Sequence, residues 1–463
     1  MSAFKQKMTE VCNNFDYSHL TPDLSEQMTQ YLKESLADAG KAAYGSYITS
    51  FDCDEKIIMT KGGCELRKKG KVEKAYLTYF GEMIIARSLY QADRGGESFV
   101  PLEEKWGMQG HYATIEVREA VAFSAAHCTP EETGRIFGKC ALFNPSTTAI
   151  KNIVEKVGAI FSEHAERMQQ EILAQEQMPA EAEVIAVSAD GVNILMREKG
   201  GTQRRPAERP GTTIHEEDAQ STYRNAMVGS ISFYTGEKDA EGNPQRLLSR
   251  YTSAMPQDKA VEFKASFERE VAQVLSSSEA QGMRKVLLMD GSRGLWNYAI
   301  HNSIFKKFVP VIDFYHMTEH LSRLAEALFG KQNQSGQAWY AKWKEKMLAD
   351  PDAARELLRS VDYYSVHGQK LSSSRKKAAK AERNFFSRNR TRMTYAALRN
   401  RGIPIGSGPI EAACKSIVKS RMCRSGMRWS RDGGQKILSF RTFVKSDRWN
   451  TAWDSYKTYA IAA

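Results

Sequence analysis

Disulfide chemistry has little to work with in this sequence. Its 463 residues include seven cysteines (Cys12, Cys53, Cys64, Cys128, Cys140, Cys414 and Cys423), an odd count in which no two are spaced Cys-x-x-Cys. That excludes a disulfide framework, a redox pair and a fully written zinc ribbon, and leaves reduced thiols as the expectation. Long apolar runs are missing as well. No stretch approaches the about 18 consecutive apolar residues of a membrane span, and the opening residues carry no apolar signal core. The expected location is cytoplasmic, neither exported nor membrane-spanning. There is also no Ser–His–Asp arrangement, no phosphate-binding P-loop, no histidine pattern with zinc-ligand spacing and no internal repeat.

What is present is an ordinary globular composition, 41% apolar and 26% charged, with a formal net charge of +11. The length allows two or three domains. The positive charge is unevenly spread. Between Ser372 and Lys445 there are nineteen Lys and Arg against three acids. Such a concentration suits phosphate contacts, although many basic runs are only solvated faces. The basic residues expected to touch nucleic acid are Arg375, Lys376, Lys377, Arg388, Arg390, Arg392, Lys415, Lys419, Arg421, Arg424, Arg428 and Arg431, with Trp429 among them. Phe385, Phe386, Tyr395 and Trp429 are interleaved and would suit stacking on unpaired bases.

Patterning divides the chain. Lys74 to Tyr90 alternates around a Gly-Glu turn and predicts a hairpin, followed by a loop at Asp93-Arg-Gly-Gly-Glu97. Helical periodicity runs from Thr114 to about Met178. Within it, Thr129-Pro-Glu-Glu132 is a helix start, with Thr as N-cap and Pro at the first helical position. A break at Leu142 to Ser146 precedes a second helix, so the pair reads either as a helix-turn-helix or as a plain helical hairpin. Val184 to Ala189 and Val192 to Met196 read as two strands linked at Asp190-Gly191. Thr202 to Gln220 reads as a loop, Asn225 to Tyr234 as a strand and Met255 to Leu275 as a helix. Two further strands, Val286 to Met289 and Phe308 to Ile312, alternate with helices, the second of which runs from His316 to Phe329. Strands followed by strand–helix alternation predict an α/β domain with a mixed sheet. Residues 335–400 read as helical.

Three acids occupy positions that an α/β sheet uses for ligands. Asp190 and Asp290 each close an apolar run and precede a glycine, and Glu411 opens a helix after a Gly/Pro-rich stop. Hard divalent cations prefer oxygen donors, and a pair of them can clamp the attacking and leaving oxygens of a phosphoryl transfer. Each acid also has a plainer reading, as a turn residue before glycine or, for Glu411, as the partner of Lys415 one helical turn on. Asp313 and His316, three apart at a strand-to-helix junction, read either as a structural bolt or as part of a site.

The order strand–Asp190-Gly, then Met289-Asp-Gly-Ser-Arg-Gly-Leu-Trp-Asn-Tyr-Ala299, then Val311-Ile-Asp-Phe-Tyr-His-Met317, then Ile405-Gly-Ser-Gly-Pro-Ile-Glu-Ala412 resembles DDE transposases of bacterial insertion sequences. The nearest likeness is to the ISKra group, which is related to Mutator-like transposases. The ending, Lys415 through Arg424-Ser-Gly-Met-Arg-Trp-Ser430 to Arg448-Trp449, is similar to that group in particular. The likeness spans roughly residues 70–455. It implies an RNase H-like catalytic core, a mixed sheet flanked by helices, with a helical insertion before the last acid. It further implies Asp190, Asp290 and Glu411 as catalytic metal ligands and Asp313 and His316 as an accessory D-x-x-H element; Asp313 is the alternative second acid. The departure from the family lies at Tyr90 to Glu103, where relatives carry a cysteine pair and this chain has none, so no zinc is expected.

The expected organisation is therefore 1–110, a degenerate zinc-ribbon-like hairpin; 111–180, a helix-turn-helix-like DNA-binding region and linker helix; 181–330, the RNase H-like core; 331–402, the insertion; and 403–463, C-terminal helices with the last Glu and a basic surface. The expected activity is metal-dependent cleavage of DNA at element ends and 3′-hydroxyl strand transfer into target DNA. It would use two Mg²⁺ ions, with Mn²⁺ able to substitute, in a DNA-bound homodimer or higher oligomer associated with a bacterial nucleoid. The alternatives are a catalytically silent DNA-binding protein acting as repressor or accessory factor, and a nuclease that cuts without joining.

Overall fold

A computed structural model describes residues 6, 9, 13, 21–60, 63–92, 96, 98–197, 222–239, 242–367 and 371–462. The loop expected at Thr202 to Gln220, and most of that expected at Asp93 to Glu97, lie outside the described residues. The chain forms two compact units, one of residues 1–168 and 450–463, the other of residues 169–449.

In the first unit, α1 (Pro22–Thr49) starts on a Thr21 N-cap whose hydroxyl accepts from the Leu24 amide. Strands β1 (Ile57–Met59), β2 (Glu65–Thr78) and β3 (Gly81–Gln91) form an antiparallel sheet in that order. The β2–β3 hairpin forms where its alternation predicted one, but its turn is Tyr79-Phe80 rather than Gly81-Glu82, closing at Thr78 opposite Gly81. Gly81, at φ 103°, takes the left-handed conformation that this tight reversal needs. The helices α2 (Pro101–Trp106), α3 (Ile115–His127), α4 (Pro130–Cys140) and α5 (Thr147–Glu163) follow.

The predicted start of α4 carries a full capping box: the Thr129 hydroxyl accepts from the Glu132 amide while the Glu132 carboxylate accepts from the Thr129 amide. Six residues, 141–146, separate α4 from α5, longer than the three- or four-residue turn typical of DNA-reading helix pairs. The buried Ile150, Ile153, Val157 and Phe161 give α5 one apolar face at helical spacing.

The second unit begins within α6 (Ala165–Gln175) and is built on a five-stranded sheet. Its strands are β4 (Val184–Met196), β5 (Thr222–Lys238), β6 (Pro244–Ala254), β7 (Arg284–Met289) and β8 (Val309–Ile312), in the spatial order β6-β5-β4-β7-β8. The β4–β5 and β5–β6 pairs are antiparallel, and β4–β7 and β7–β8 are parallel. Around the sheet lie α7 (Val261–Ser276), α8 (Arg293–His301) and α9 (Phe314–Phe329), then α10 (Gln334–Ala349), α11 (Ala353–His367), α12 (Ser373–Asn389), α13 (Tyr395–Asn400), α14 (Gly408–Ala413) and α15 (Arg431–Lys445). The mixed sheet flanked by helices is compatible with the RNase H-like core implied by the sequence.

The first unit is completed by α16 (Trp449–Ala462). Its Tyr456 accepts a hydrogen bond from the wholly buried Arg118 and stacks on Phe161 at 5.5 Å.

The two strands expected on either side of Asp190-Gly191 are in fact one. β4 pairs with β5 without interruption from Val184 opposite Tyr234 to Met196 opposite Thr222. An Asp-Gly pair makes a turn only where the chain has to reverse, and β5 offers an unbroken partner along the whole of β4. What changes at Asp190 is the packing. Val184 to Ala189 belong to the main core with β7, β8, α7 and α9, while Val192, Ile194 and Met196 join a second cluster with Ile410, Ala413, Ile417, Val418 and Leu438. β6 had no counterpart in the sequence reading. The helix expected from Met255 starts only at Val261, because Lys259 and Ala260 adopt left-handed backbone conformations before it.

No described helix is long and apolar enough to cross a membrane.

Candidate active site

The parallel register decides where the acids fall. Val187 of β4 lies opposite Leu287 of β7, and Met289 of β7 lies opposite Ile312 of β8. Asp190 is three residues past Val187 and Asp290 three past Leu287. Asp290 and Asp313 each directly follow a paired residue. The three aspartates therefore stand side by side on three neighbouring strands, at the carboxyl ends of β7 and β8, the edge where open α/β sheets gather their ligands. Asp190 is inside β4 rather than at its end, but it lies beyond the last residue paired to β7.

Glu411 reaches the same place from α14. The loop before it is held to the end of β8: the Phe314 amide donates to the Ile405 carbonyl at 2.9 Å, and the Ser407 amide donates to an Asp313 carboxylate oxygen. After Ala413 the helix widens into a π-helical turn, Cys414–Lys419, a feature found mostly at functional sites. Gly406 permits the close approach, since a β-carbon there would lie 2.8 Å from the Tyr315 ring.

Asp190, Asp290, Asp313, His316 and Glu411 all line one cavity of about 240 Å³, together with Ser407, Cys414, Lys415 and Lys419. Four carboxylates thus face two ammonium groups. Burial pushes the Asp190 carboxyl above its ordinary pKa, and the charge of Asp290 adds to this, against hydrogen bonds from the Gly191 amide and the Cys414 thiol and the pull of Lys419. Glu411 is also raised, first by desolvation and then by Asp313, with Lys415 opposing. Glu411 and Lys415 form no close ion pair among the described residues, although the Lys415 charge acts on Glu411.

The carboxylates are unequally committed. Asp313 is buried and uses both oxygens, one for the His316 amide as N-cap of α9 and one for Ser407. Asp290 accepts from the Ser292 amide at 2.9 Å with one oxygen and has no partner for the other among the described residues. Asp190 accepts from Gly191 at 2.7 Å, and its second oxygen meets only the Cys414 thiol at 3.6 Å. The Glu411 carboxylate has no hydrogen-bond partner among the described residues, its backbone amide donating to the Ser407 carbonyl. Among the described residues the Glu411 carboxylate and one Asp290 oxygen have no partner, Asp190 is held by one amide and a thiol, and Asp313 by two amides that tie α9 to the Glu411 loop. Among the described residues no three His, Cys, Asp or Glu side chains stand as a ready-made metal-binding group, so these donors share a cavity without yet converging on one point.

The basic residues are distributed over several environments. Lys415 and Lys419 line the cavity. Lys376, Lys377, Arg388 and Arg390 are exposed. Arg375 is turned inward, donating to the Ala327 and Leu328 carbonyls at the end of α9. Arg392 lies over Trp296 at 4.1 Å, and Trp296 in turn donates to the Asp290 carbonyl at 2.6 Å. Arg421 is buried against the Trp429 ring, Arg424 donates to the Ser420 carbonyl, Arg428 is half-buried, and Arg431 pairs with Glu262.

The aromatic residues depart from the stacking expectation. Phe385, Phe386 and Tyr395 are buried in the main core, and the indole of Trp429 donates to the Met422 carbonyl while its backbone extends the edge of β4. The spacing of the first three reflects the buried face of their helices, while Trp429 lies outside any helix and is half-buried. Conversely, sequence reasoning passed over Cys414, His320 and Glu382. The position of His320, four residues after His316 on one helix face, was the available signal for it.

No protein-family profile matches this chain, and no curated protein does. Among solved structures, the Drosophila P element transposase strand transfer complex is similar at 11% identity, covering 74% of this chain and 79% of that chain, with a TM-score of 0.23. A likeness that loose carries no argument about this protein.

Proposed function

We propose that the chain is a DNA-processing enzyme of the transposase kind, resembling the ISKra group, with Asp190, Asp290 and Glu411 as its catalytic acids. The observation that carries this reading is the single cavity in which an in-register row of aspartates meets Glu411 beside Lys415 and Lys419. Two Mg²⁺ ions, with Mn²⁺ as a substitute, fit the donor chemistry of these acids and when bound would supply charge neutralisation at the reacting phosphate. Burial first, and the neighbouring carboxylates second, raise the pKa values of Asp190 and Glu411, so a bound cation would relieve a charge the site leaves under-compensated.

The protein's own part is mainly placement. Lys415 and Lys419 attract the phosphate backbone, the β7 and β8 ends hold Asp290 and Asp313 rigidly, and the Asp313–Ser407 bond sets the height of Glu411. The reaction proposed is cleavage at element ends followed by attack of the freed 3′-hydroxyl on target DNA. The working form would be a DNA-bound dimer or higher oligomer in the bacterial cytoplasm. Residues 111–180 and the exposed Lys376, Lys377, Arg388 and Arg390 are the proposed further DNA contacts.

The test is cleavage and joining of labelled element-end DNA with Mg²⁺ or Mn²⁺, comparing wild type with Asp190→Ala, Asp290→Ala and Glu411→Ala. Loss of both reactions in each variant, with DNA binding retained, is the expected result. A wild type that binds ends tightly and never cuts or joins them makes the chain a silent DNA-binding protein, and one that cuts without joining makes it a nuclease.

A further inference from the structure

Behind the cavity wall, three side chains form a file that the proposed chemistry has not used. The ring of His316, which lines the cavity, places Nε2 3.2 Å from Nε2 of His320. His320 Nδ1 lies 2.5 Å from a carboxylate oxygen of Glu382, on the insertion helix α12. The other Glu382 oxygen accepts from Arg323 at 3.3 Å. His320 lies flat on Phe385, with ring centroids 3.4 Å apart and planes 10° from parallel, and both His320 and Glu382 are largely buried. The ring of His320 therefore has little room to turn.

Proton bookkeeping along this file has few solutions. Two imidazole nitrogens that face each other share one proton, one donating and the other accepting. Burial alone would raise the Glu382 pKa, but its two oxygens accept from His320 and Arg323, and the carboxylate stays below its ordinary range. An ionised Glu382 only accepts, so His320 carries its proton on Nδ1. With one proton on that ring, Nε2 of His320 is a lone pair and the shared proton belongs to His316; a second proton on His320 would reverse the assignment.

We infer that Glu382 and His320 are positioning residues that hold His316 as its Nε2–H tautomer, leaving Nδ1 as a hydrogen-bond acceptor for a hydroxyl group in the carboxylate cavity. On the proposed function, on which the identity of that hydroxyl rests, it belongs to the attacking water or to the 3′ end of DNA. Carboxylates behind imidazoles fix tautomer and ring orientation in the same way in many metalloenzymes, where loss of such an outer partner costs about 10–100-fold in activity or metal affinity.

The decisive measurement is the ¹⁵N spectrum of the full chain labelled at histidine, with His316 and His320 assigned by difference from His316→Asn and His320→Asn. The expected result is Nε2–H for His316 and Nδ1–H for His320 in the wild type. In Glu382→Gln the side-chain amide can donate to His320 Nδ1, so His316 should shift toward Nδ1–H. Glu382→Asp should retain the wild-type tautomer in part, and it serves as the second variant if Glu382→Gln does not fold. A wild type with doubly protonated His320 and Nδ1–H on His316 overturns the inference, as does a His316 tautomer indifferent to position 382. In DNA cleavage, Glu382→Gln should lower kcat about 10–100-fold with KM for DNA unchanged, and Glu382→Asp should recover part of the loss. If the wild type does not cleave DNA at all, the proposed function fails, while the tautomer spectrum still decides this inference.

Discussion

Replacing Gly291 with alanine would test whether the insertion helix acts as the backstop of the candidate site. A β-carbon at Gly291 would lie 2.4 Å from the Phe385 ring, more than about 1 Å inside the usual carbon–carbon contact of about 3.5–4.0 Å. Phe385 has nowhere simple to go. It is buried, stacked on His320 and packed edge-on against Phe386 at 5.4 Å. Overpacking of this kind costs about 1–3 kcal/mol, of which about 0.4–1 kcal/mol is recovered through the stiffer unfolded chain. For a unit of this size the net loss is about 1–4 °C in Tm.

The functional loss should be larger in proportion, because the residue displaced alongside position 291 is Asp290. A misplacement near 1 Å costs about 100-fold in rate. Thermal unfolding and DNA cleavage, each measured for Gly291→Ala, Phe385→Leu and the double variant, form a cycle. Phe385→Leu makes room, so the double variant should be more stable than the sum of the single losses predicts, by about 0.5–3 kcal/mol. If Gly291→Ala unfolds and cleaves like wild type, or if the two changes simply add, Phe385 does not support the Asp290 turn and the reasoning is wrong.

Two further outcomes follow from the same geometry. The raised pKa values of Asp190 and Glu411 mean that ionising them costs the folded state. The contribution of these two groups to metal-free stability is therefore greatest below the ordinary carboxylate range and falls as pH rises through it to the raised values. Asp190→Asn should accordingly raise Tm at pH 7 and leave it unchanged at pH 3, and Mg²⁺ should stabilise wild type more than this variant; equal Tm gains at both pH values would contradict the burial argument. Asp313→Ala strips acceptors from two backbone amides, those of His316 and Ser407, at about 1–3 kcal/mol each. Denaturant unfolding should show this loss to be at least twice that of Asp290→Ala, which frees only the Ser292 amide, and the reverse order would return Asp313 to candidacy as the second acid.

Much of this protein could be read from its residues alone where the information is local. The Thr129 capping box, the β2–β3 hairpin and the apolar runs of β7 and β8 depend on neighbours a few positions apart, and each forms where its pattern placed it. The acids Asp190, Asp290, Asp313 and Glu411 could be named as candidates because each sits at a break in such a pattern. Other features were illegible for a physical reason. Asp190-Gly191 carries a turn signal, yet the strand runs through it because a partner from elsewhere in the sequence pairs with it along its whole length. Phe385, Phe386 and Tyr395 look available in a basic sequence, yet a helix has two faces and theirs is the buried one.

Composition and spacing thus determined the charge distribution, the local elements and the types of group that a site here could use. Only the tertiary structure decided the rest. Strand register, set by pairing between segments 100 residues apart for β4 and β7 and 23 apart for β7 and β8, aligned three aspartates in one row. Packing of the loop before α14 against the end of β8 brought Glu411 to them, and packing of one face of α12 placed Glu382 behind His320. These are long-range contacts whose energies depend on which surfaces meet, and no window of sequence contains both partners.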